Sequence, residues 1–448
     1  MVNYNKFYIK LCKYCFIFFC LNIYNAKAIT IQEAIRLAYK NSETIGIKRQ
    51  QADFGKINFQ SSILGFLPSV STSYGYNKII SSRNDMNNNL ANGANNNNNN
   101  NSSNMMGGIA NLSSAQTASV SMRSSLAVWK TIPGLYIAWT GLKAKEEEYK
   151  KFLEDFGLLF VQTYMDIIYN TKALEVYNQM SNTLEAKVKR VTVMNKYGTV
   201  KRDKVVLAEA QYYKNKADEI NIKSSLQKVK MDYKIMTGID PVDLVMPDIS
   251  GAKLPAEDKQ SFVSLVLSNN SKIKQVYNEM ISQKHYMAIQ SFDMLPEPYS
   301  ETSFMWYKIP GIMNYKAWYQ GVGVSWTING NNNRLANFRK EYKTYRIADL
   351  NYHLTLKEIE QDAEYAWDQY FAMLELVKAT EKALKASKDS LQEVKVSVST
   401  GTATFIDEMD VENNYLNANL DYLNANKALI LAYYKMIGMT GVGQLPVL

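Results

Sequence analysis

Apolar residues over 335–398 recur at alternating steps of three and four, through Tyr352, Leu356, Ile359, Ala363, Ala366, Tyr370, Met373 and Val377 to Leu391, Val394 and Val398. Sixteen of the nineteen positions in this register are apolar, aromatic or Ala, the heptad seam of a coiled coil. Neither Pro nor Gly interrupts 335–400, so the pattern predicts one helix whose 64 seam-bearing residues span roughly 96 Å at 1.5 Å per residue. A second, less regular stretch covers about 135–195 and contains one Gly, Gly157. Period-two patterns predict four strands. Val70, Thr72, Tyr74 and Tyr76 follow Leu67-Pro68, and Val120, Met122, Ser124, Leu126 and Val128 mark 119–129. A third run follows Leu295-Pro296 through Trp306, and Val322, Val324, Trp326 and Ile328 mark 319–328.

These elements occur twice in one order: helix, strand, strand, long helix, Gly turn, helix. Pro68 and Pro296 lie 228 residues apart, and the turns at 197–199 and 400–402 lie 203 apart. The difference of 25 falls between the first two strands, where the Asn-rich tract predicts a long loop over 81–116. The equivalent connection, about 307–318, is short. The helices after the two turns end alike, in Tyr233-Lys234-Ile235-Met236-Thr237-Gly238 and Tyr434-Lys435-Met436-Ile437-Gly438. The predicted organisation is 1–28, a first repeat over 29–255 that closes in a Pro/Asp/Gly-rich linker, and a second repeat over 256–448.

Composition agrees with long elements, since 448 residues contain only 21 Gly and 9 Pro. The first 28 residues read as a secretory signal: Lys6, Lys10 and Lys13, a short apolar run over 15–21, then Ala26-Lys27-Ala28. Its removal would take all three Cys (Cys12, Cys15, Cys20) and four Lys, lowering the net charge from +9 to +5. That balance gives no case for nucleic acid. No later segment has the 18 or so consecutive apolar residues of a spanning helix. Entry into a membrane would therefore be as strands.

Strands of roughly ten residues suit a membrane β-barrel. Five of six Trp (Trp129, Trp139, Trp306, Trp318, Trp326) lie in or beside them, and Trp collects at membrane interfaces. Four strands cannot close a barrel, and open edges in lipid leave backbone groups unpaired. Several chains would have to share one barrel.

The region 29–448 resembles the TolC family of outer membrane efflux proteins. The resemblance rests on the Ile29-Thr30-Ile31-Gln32-Glu33-Ala34 opening, Leu67-Pro68 before the first strand, the two Gly turns, the two helix ends and the tandem repeat. It implies a mixed, mainly α fold. Long antiparallel coiled-coil hairpins would form an α-barrel, joined to a transmembrane β-barrel with four strands from each chain of a homotrimer. It further implies an outer-membrane channel-tunnel whose helical part lies in the periplasm. Such a duct serves a tripartite efflux pump or type I secretion system. Its partners are a periplasmic adaptor, an inner-membrane efflux or ABC transporter that supplies the energy, and outer-membrane lipid.

The resemblance places the closed entrance at the hairpin tips, with Gly198, Thr199, Gly401 and Thr402 as adaptor-docking residues. Each Gly also simply ends a helix with positive φ. Asp407 and Asp410, three apart on one helix face, would form an acidic ring in the trimer. Thr404 as N-cap, with Asp407 three residues on, reads equally as a helix start. The chain departs from the family's gate pattern, with Val398 where a Tyr can stand, Ala403 where an Arg can stand, and Lys201, Arg202, Asp203 and Lys204 at the first tip. Those four are the candidate gate charges, although a solvated charged face is the simpler reading.

No P-loop, HExxH or G-x-G-x-x-G is present, and His285 and His353 stand alone. The sequence therefore implies no enzyme, cofactor or metal. The competing class is a secreted coiled-coil structural protein or adhesin without a channel, which would not need two strand pairs repeated in step with two helical pairs. A periplasmic adaptor would carry one hairpin instead of two.

Overall fold

The computed structural model describes residues 29–77, 115–249, 251, 253–309, 313–326 and 334–441. In chain order the elements are α1 (Ile31–Asn41), α2 (Glu43–Leu64), β1 (Ser69–Asn77), β2 (Ala115–Ser125), α3 (Val128–Lys196), α4 (Arg202–Thr237), α5 (Lys259–Asn269), α6 (Ser271–Phe292), β3 (Glu297–Ile309), β4 (Met313–Ser325), α7 (Arg334–Ser399) and α8 (Phe405–Met439). The fold is mainly helical, with one small antiparallel sheet. Two compact units result: residues up to 53, 144–277 and from 351 form the first, and 54–143 with 278–350 the second.

The first unit is a helical core. Along α7, seam positions 345–398 are half-buried or buried, with Ala363, Ala366 and Tyr370 in the core. Opposite them lie Phe160, Val161 and Tyr164 of α3, Tyr233 of α4, Phe262 of α5, and Tyr433 and Tyr434 of α8. The buried Tyr164 hydroxyl lies 2.9 Å from the Ile29 carbonyl and 2.8 Å from that of Val245, and it accepts the Val245 N–H at 3.1 Å. It thereby fixes the short parallel bridge of Ile29 with Leu244. Tyr233 and Tyr434, which hold the same place in the two repeated helix ends, are both fully buried. Burial pushes each phenol up to about 12.

The second unit carries the sheet, in the order β1-β2-β3-β4 with every neighbouring pair antiparallel. Directly opposed residues share a face, so the register sorts the strands. One face presents Val70, Thr72, Tyr74, Val120, Met122, Phe304, Trp318, Val322 and Val324, interspersed in β3 and β4 with Thr302, Lys308, Lys316 and Gln320. The other presents Ser69, Ser71, Ser73, Ser119, Ser121, Arg123, Glu301, Ser303 and Gly321, with Met305, Tyr307, Tyr315 and Tyr319 towards the β3–β4 turn. On that polar face Ser71 meets Ser121 at 2.7 Å and Ser73 meets Ser119 at 2.8 Å, hydroxyl to hydroxyl. Gly323 leaves the space that the Tyr299 ring fills, and the Arg123 guanidinium stacks 3.8 Å over that ring. Lys130 in the first turn of α3 pairs with Asp293 and Glu297 at the start of β3.

Several expected boundaries are corrected. The second strand ends at Ser125, and Trp129 and Trp139 belong to α3, which starts at Val128. That helix passes through Pro133, whose missing N–H removes only one bond near the helix start. The connection expected over 307–318 is mostly strand, because β3 runs to Ile309 and β4 begins at Met313. Ala115 and Gln116 lie in β2 instead of the Asn-rich loop. The rest of that loop, the signal-like residues 1–28 with their three Cys, and Ile328 lie outside the described residues.

Candidate channel entrance at the helical hairpin tips

The turns α3–α4 and α7–α8 are built alike. Gly198 has φ 72° and Gly401 φ 78°. In the first turn the Gly198 N–H donates to the Asn195 carbonyl and the Thr199 N–H to Met194, both at 3.0 Å. In the second, Gly401 donates to Val398 at 3.2 Å and Thr402 to Ser397 at 2.9 Å. This is the Schellman pattern that satisfies the last carbonyls of a helix. The Thr hydroxyls reinforce it, Thr199 Oγ1 donating to Met194 at 2.7 Å and Thr402 Oγ1 to Ser397 at 3.0 Å. Both Gly-Thr pairs therefore have a local structural role, and all four residues are exposed. No heavy atom lies within 4 Å of where a Cβ would stand on either Gly.

The helices leaving the turns begin differently. Thr404 caps α8, its Oγ1 accepting the Asp407 N–H at 3.3 Å. The Asp407 carboxylate accepts in return from the Thr404 hydroxyl at 2.6 Å and the Thr404 N–H at 2.8 Å. The Thr404 hydroxyl, and then its backbone N–H, hold the Asp407 carboxyl below the usual carboxylate range. Asp410, one turn on, is exposed. The N-cap position of α4 is Lys201, whose side chain makes no capping bond. Asp203 accepts the Lys204 N–H at 2.9 Å and approaches the Lys204 ammonium at 4.0 Å. Arg202 is exposed. Among the described residues Asp407 makes no ion pair with these cations.

Between the two tips lies a groove of about 450 Å³. Val191, Met194, Val200, Val398, Phe405 and Ile406 supply apolar lining, and Arg190, Lys201 and Lys204 line it with positive charge. Next to the groove, farther from the tips along α3 and α8, sits a cluster that reading for tip residues does not find. Lys187 of α3, only 9% exposed, places its ammonium 2.5 Å from Glu412 and 3.1 Å from Glu408 of α8. The Phe405 ring lies 5.5 Å from the same ammonium. Glu412 is 3% exposed and one of its oxygens has no partner among the described residues. Burial pushes its carboxyl above the usual range, against the pull of Lys187. Beside it, Gln211 of α4 donates to Asn413 of α8 at 2.5 Å. The available signal was Lys187 in the seam Met180, Leu184, Lys187, Val191, a charge where the heptad wants an apolar residue.

No protein-family model matches the chain, and no curated protein sequence does. Solved structures do. The CmeC outer membrane channel of Campylobacter jejuni aligns over 93% of this chain and 86% of its own, at 14% identity and TM-score 0.77. The open-state MtrE outer membrane channel of Neisseria gonorrhoeae aligns over 93% and 90%, at 14% identity and TM-score 0.73. The outer membrane protein VceC of Vibrio cholerae aligns over 92% and 96%, at 14% identity and TM-score 0.71.

The chain has the outer-membrane channel fold. The resemblance drawn from the 29–34 opening, the Leu-Pro pairs and the Gly turns holds at the level of that fold. Among the described residues no helix is long and apolar enough to cross a membrane, which says nothing of strands. Nor does any group of three or more His, Cys, Asp and Glu among them suit a metal ion. His285 stacks on Tyr136 at 5.1 Å, a packing contact away from the tips in sequence.

Proposed function

We propose that this protein is an outer-membrane channel-tunnel, the passive exit duct of a tripartite efflux pump or type I secretion system. The observation that carries this reading is the sheet. Across β1 and β2 it has one largely apolar face and one hydroxyl-lined face, and in the order β1-β2-β3-β4 it has a free edge at each end. Such a sheet suits lipid on one side and water on the other, provided its edges are paired by further copies. A homotrimer would supply twelve strands and close the barrel. The signal-like first residues accord with export, and an inner-membrane efflux or ABC transporter would drive transport with no catalysis by this chain. A periplasmic adaptor would dock at Gly198, Thr199, Gly401 and Thr402. Asp407 and Asp410 would ring the entrance, with Lys201, Arg202, Asp203 and Lys204 as its gate charges. A secreted adhesin is the weaker reading, because it gives no use to a two-faced sheet with open edges.

The test is conductance of the purified protein in planar lipid bilayers, alongside its native mass. A trimer that forms discrete conducting channels is the expected result. A monomer that fails to conduct sinks the proposal.

A further inference from the structure

We propose that cutting the chain between Ala28 and Ile29 gives it a new terminus for which the fold already holds a receptor: the α-ammonium of Ile29 docks on Asp243 and fixes the processed chain start to the helical core. The cut is the one that the Ala26-Lys27-Ala28 pattern predicts; the receptor is visible only in the fold. In the hydrolysis, water adds across the Ala28–Ile29 amide, Ala28 leaves as a carboxylate, and the freed Ile29 amine takes up a proton. The proposal needs export and processing but not conduction, so it stands or falls apart from the duct.

Three observations converge on it. First, the backbone of Ile29 is held on both sides. Its N–H donates to the Asp243 carbonyl at 3.2 Å, and its own carbonyl lies 2.9 Å from the Tyr164 hydroxyl. Its half-buried side chain packs with Leu244 and Met246 against the core. The nitrogen that processing frees is thus already seated, and an ammonium keeps that bond while adding two donors. Second, Asp243 has φ 34°, the only positive φ outside Gly among the described residues. Asp tolerates that region better than most residues, but strained backbone persists only where its surroundings hold it. The bond from Ile29 and the adjoining bridge to Leu244 supply that hold.

Third, the charges match. α1 begins at Ile31, so an ammonium at Ile29 meets the positive end of its dipole and needs a carboxylate beside it. Glu33 is engaged in the α1 cap, where it accepts the Thr30 N–H at 3.3 Å. Asp240 is taken by Lys234 at 2.9 Å. Asp243 is exposed and makes no ion pair among the described residues. Because its carbonyl meets the Ile29 nitrogen, its carboxylate lies within one side chain's length of the new charge. From α3 the Tyr164 phenol faces Ile29; burial raises its pKa, so it stays neutral.

The test starts from the full-length precursor, exported by a bacterial host and purified in detergent. Its intact mass should correspond to a chain that starts at Ile29. The α-amine is then acylated at pH 7 with an amine-reactive ester, and labelling of the N-terminal peptide is followed by mass spectrometry. Only the unprotonated amine reacts, so a carboxylate that raises its pKa by one unit slows labelling about tenfold. Asp243→Asn keeps a short polar side chain suited to positive φ and removes the charge; its α-amine should label about tenfold faster than wild type. A Gly inserted between Ala28 and Ile29 keeps the cleavage pattern, moves the ammonium out of place and should speed labelling equally. The pH dependence has a sign as well. An α-ammonium with a raised folded-state pKa stabilises fully below its unfolded value, about pH 8, and loses that effect as pH rises through the folded value. Wild type should therefore melt above Asp243→Asn at pH 7, and the gap should narrow at pH 10. A mature chain that starts elsewhere, unchanged labelling in Asp243→Asn, or an undiminished gap at pH 10 each overturns the proposal.

Discussion

Lys187 and Glu412 are charged residues in places where a coiled coil buries apolar ones, and they come from helices 225 residues apart in the chain. Removing one member of a buried pair leaves the other uncompensated, at a typical cost of about 3 kcal/mol. Lys187→Met should therefore lower the melting temperature of the detergent-solubilised protein. The pH dependence has a definite sign. The folded-state pKa of Glu412 is already raised above its ordinary value, and loss of Lys187 raises it further. The folded state then holds a proton that the unfolded state releases, so stability falls as pH rises through the raised value. The deficit of Lys187→Met should be smaller at pH 5 than at pH 8, as thermal melts at the two pH values will show; equal deficits would mean that Glu412 stays charged throughout. At the entrance, Asp407→Ala with Asp410→Ala should reduce cation preference severalfold in bilayer reversal potentials, if the carboxylates ring the pore. Unchanged selectivity removes the ring. Asp410→Ala alone should carry most of the change, because the Asp407 carboxylate is engaged by Thr404. The Thr404 cap was legible from its spacing to Asp407. The Lys187 cluster was marked by a seam position, but its partner across 225 residues was not, because heptad spacing orders one helix and does not name its neighbour.

The long helix α7 was legible almost to the residue, since uninterrupted heptads and a terminal Gly leave few alternatives; the less regular α3 was read about seven residues too short at its start, Val128. Strand ends were not legible. The alternation that marks β2 continues by coincidence into the first turn of α3 at Val128. The start of β4 carries aromatic or apolar residues on both faces (Met313, Tyr315, Trp318, Tyr319), so no period-two signal was available there. Glycines offer a comparison of two costs. Gly401 and Gly441 have nearly the same φ, 78° and 77°, but different surroundings. A Cβ on Gly401 meets nothing, whereas one on Gly441 would stand 2.1 Å from the Asn269 carbonyl oxygen. Gly401→Ala should thus cost only the left-handed backbone, about 1 kcal/mol, and Gly401→Asn less. Gly441→Ala should cost about 3 kcal/mol, in the range of steric and strain defects. Thermal unfolding of the three variants measures the difference, and equal losses would show that the clash relaxes freely.

For the whole molecule, the two faces of the sheet make separable demands. Val120 lies on the apolar face and Ser121 on the hydroxyl face of the same strand. In a barrel, Val120→Lys would meet lipid, at about 2–4 kcal/mol near the midplane, while Ser121→Lys would meet water. Recovery of oligomer in the membrane fraction should fall for Val120→Lys and persist for Ser121→Lys. Equal recovery would deny that the apolar face contacts lipid. The proposed need for additional copies rests on four strands alone. How such copies would meet is not readable, because the complementary edge would belong to another chain. The free edges of β1 and β4 also impose an order of events. A solitary chain cannot enter the bilayer strand by strand without stranding backbone amides in hydrocarbon. In the proposed barrel, association would therefore come before insertion or proceed in step with it. The appearance of finished channels should then depend on a high power of subunit concentration, approaching the third for the proposed trimer. At low expression such a chain would accumulate as an uninserted species with unpaired sheet edges, open to pairing with other chains.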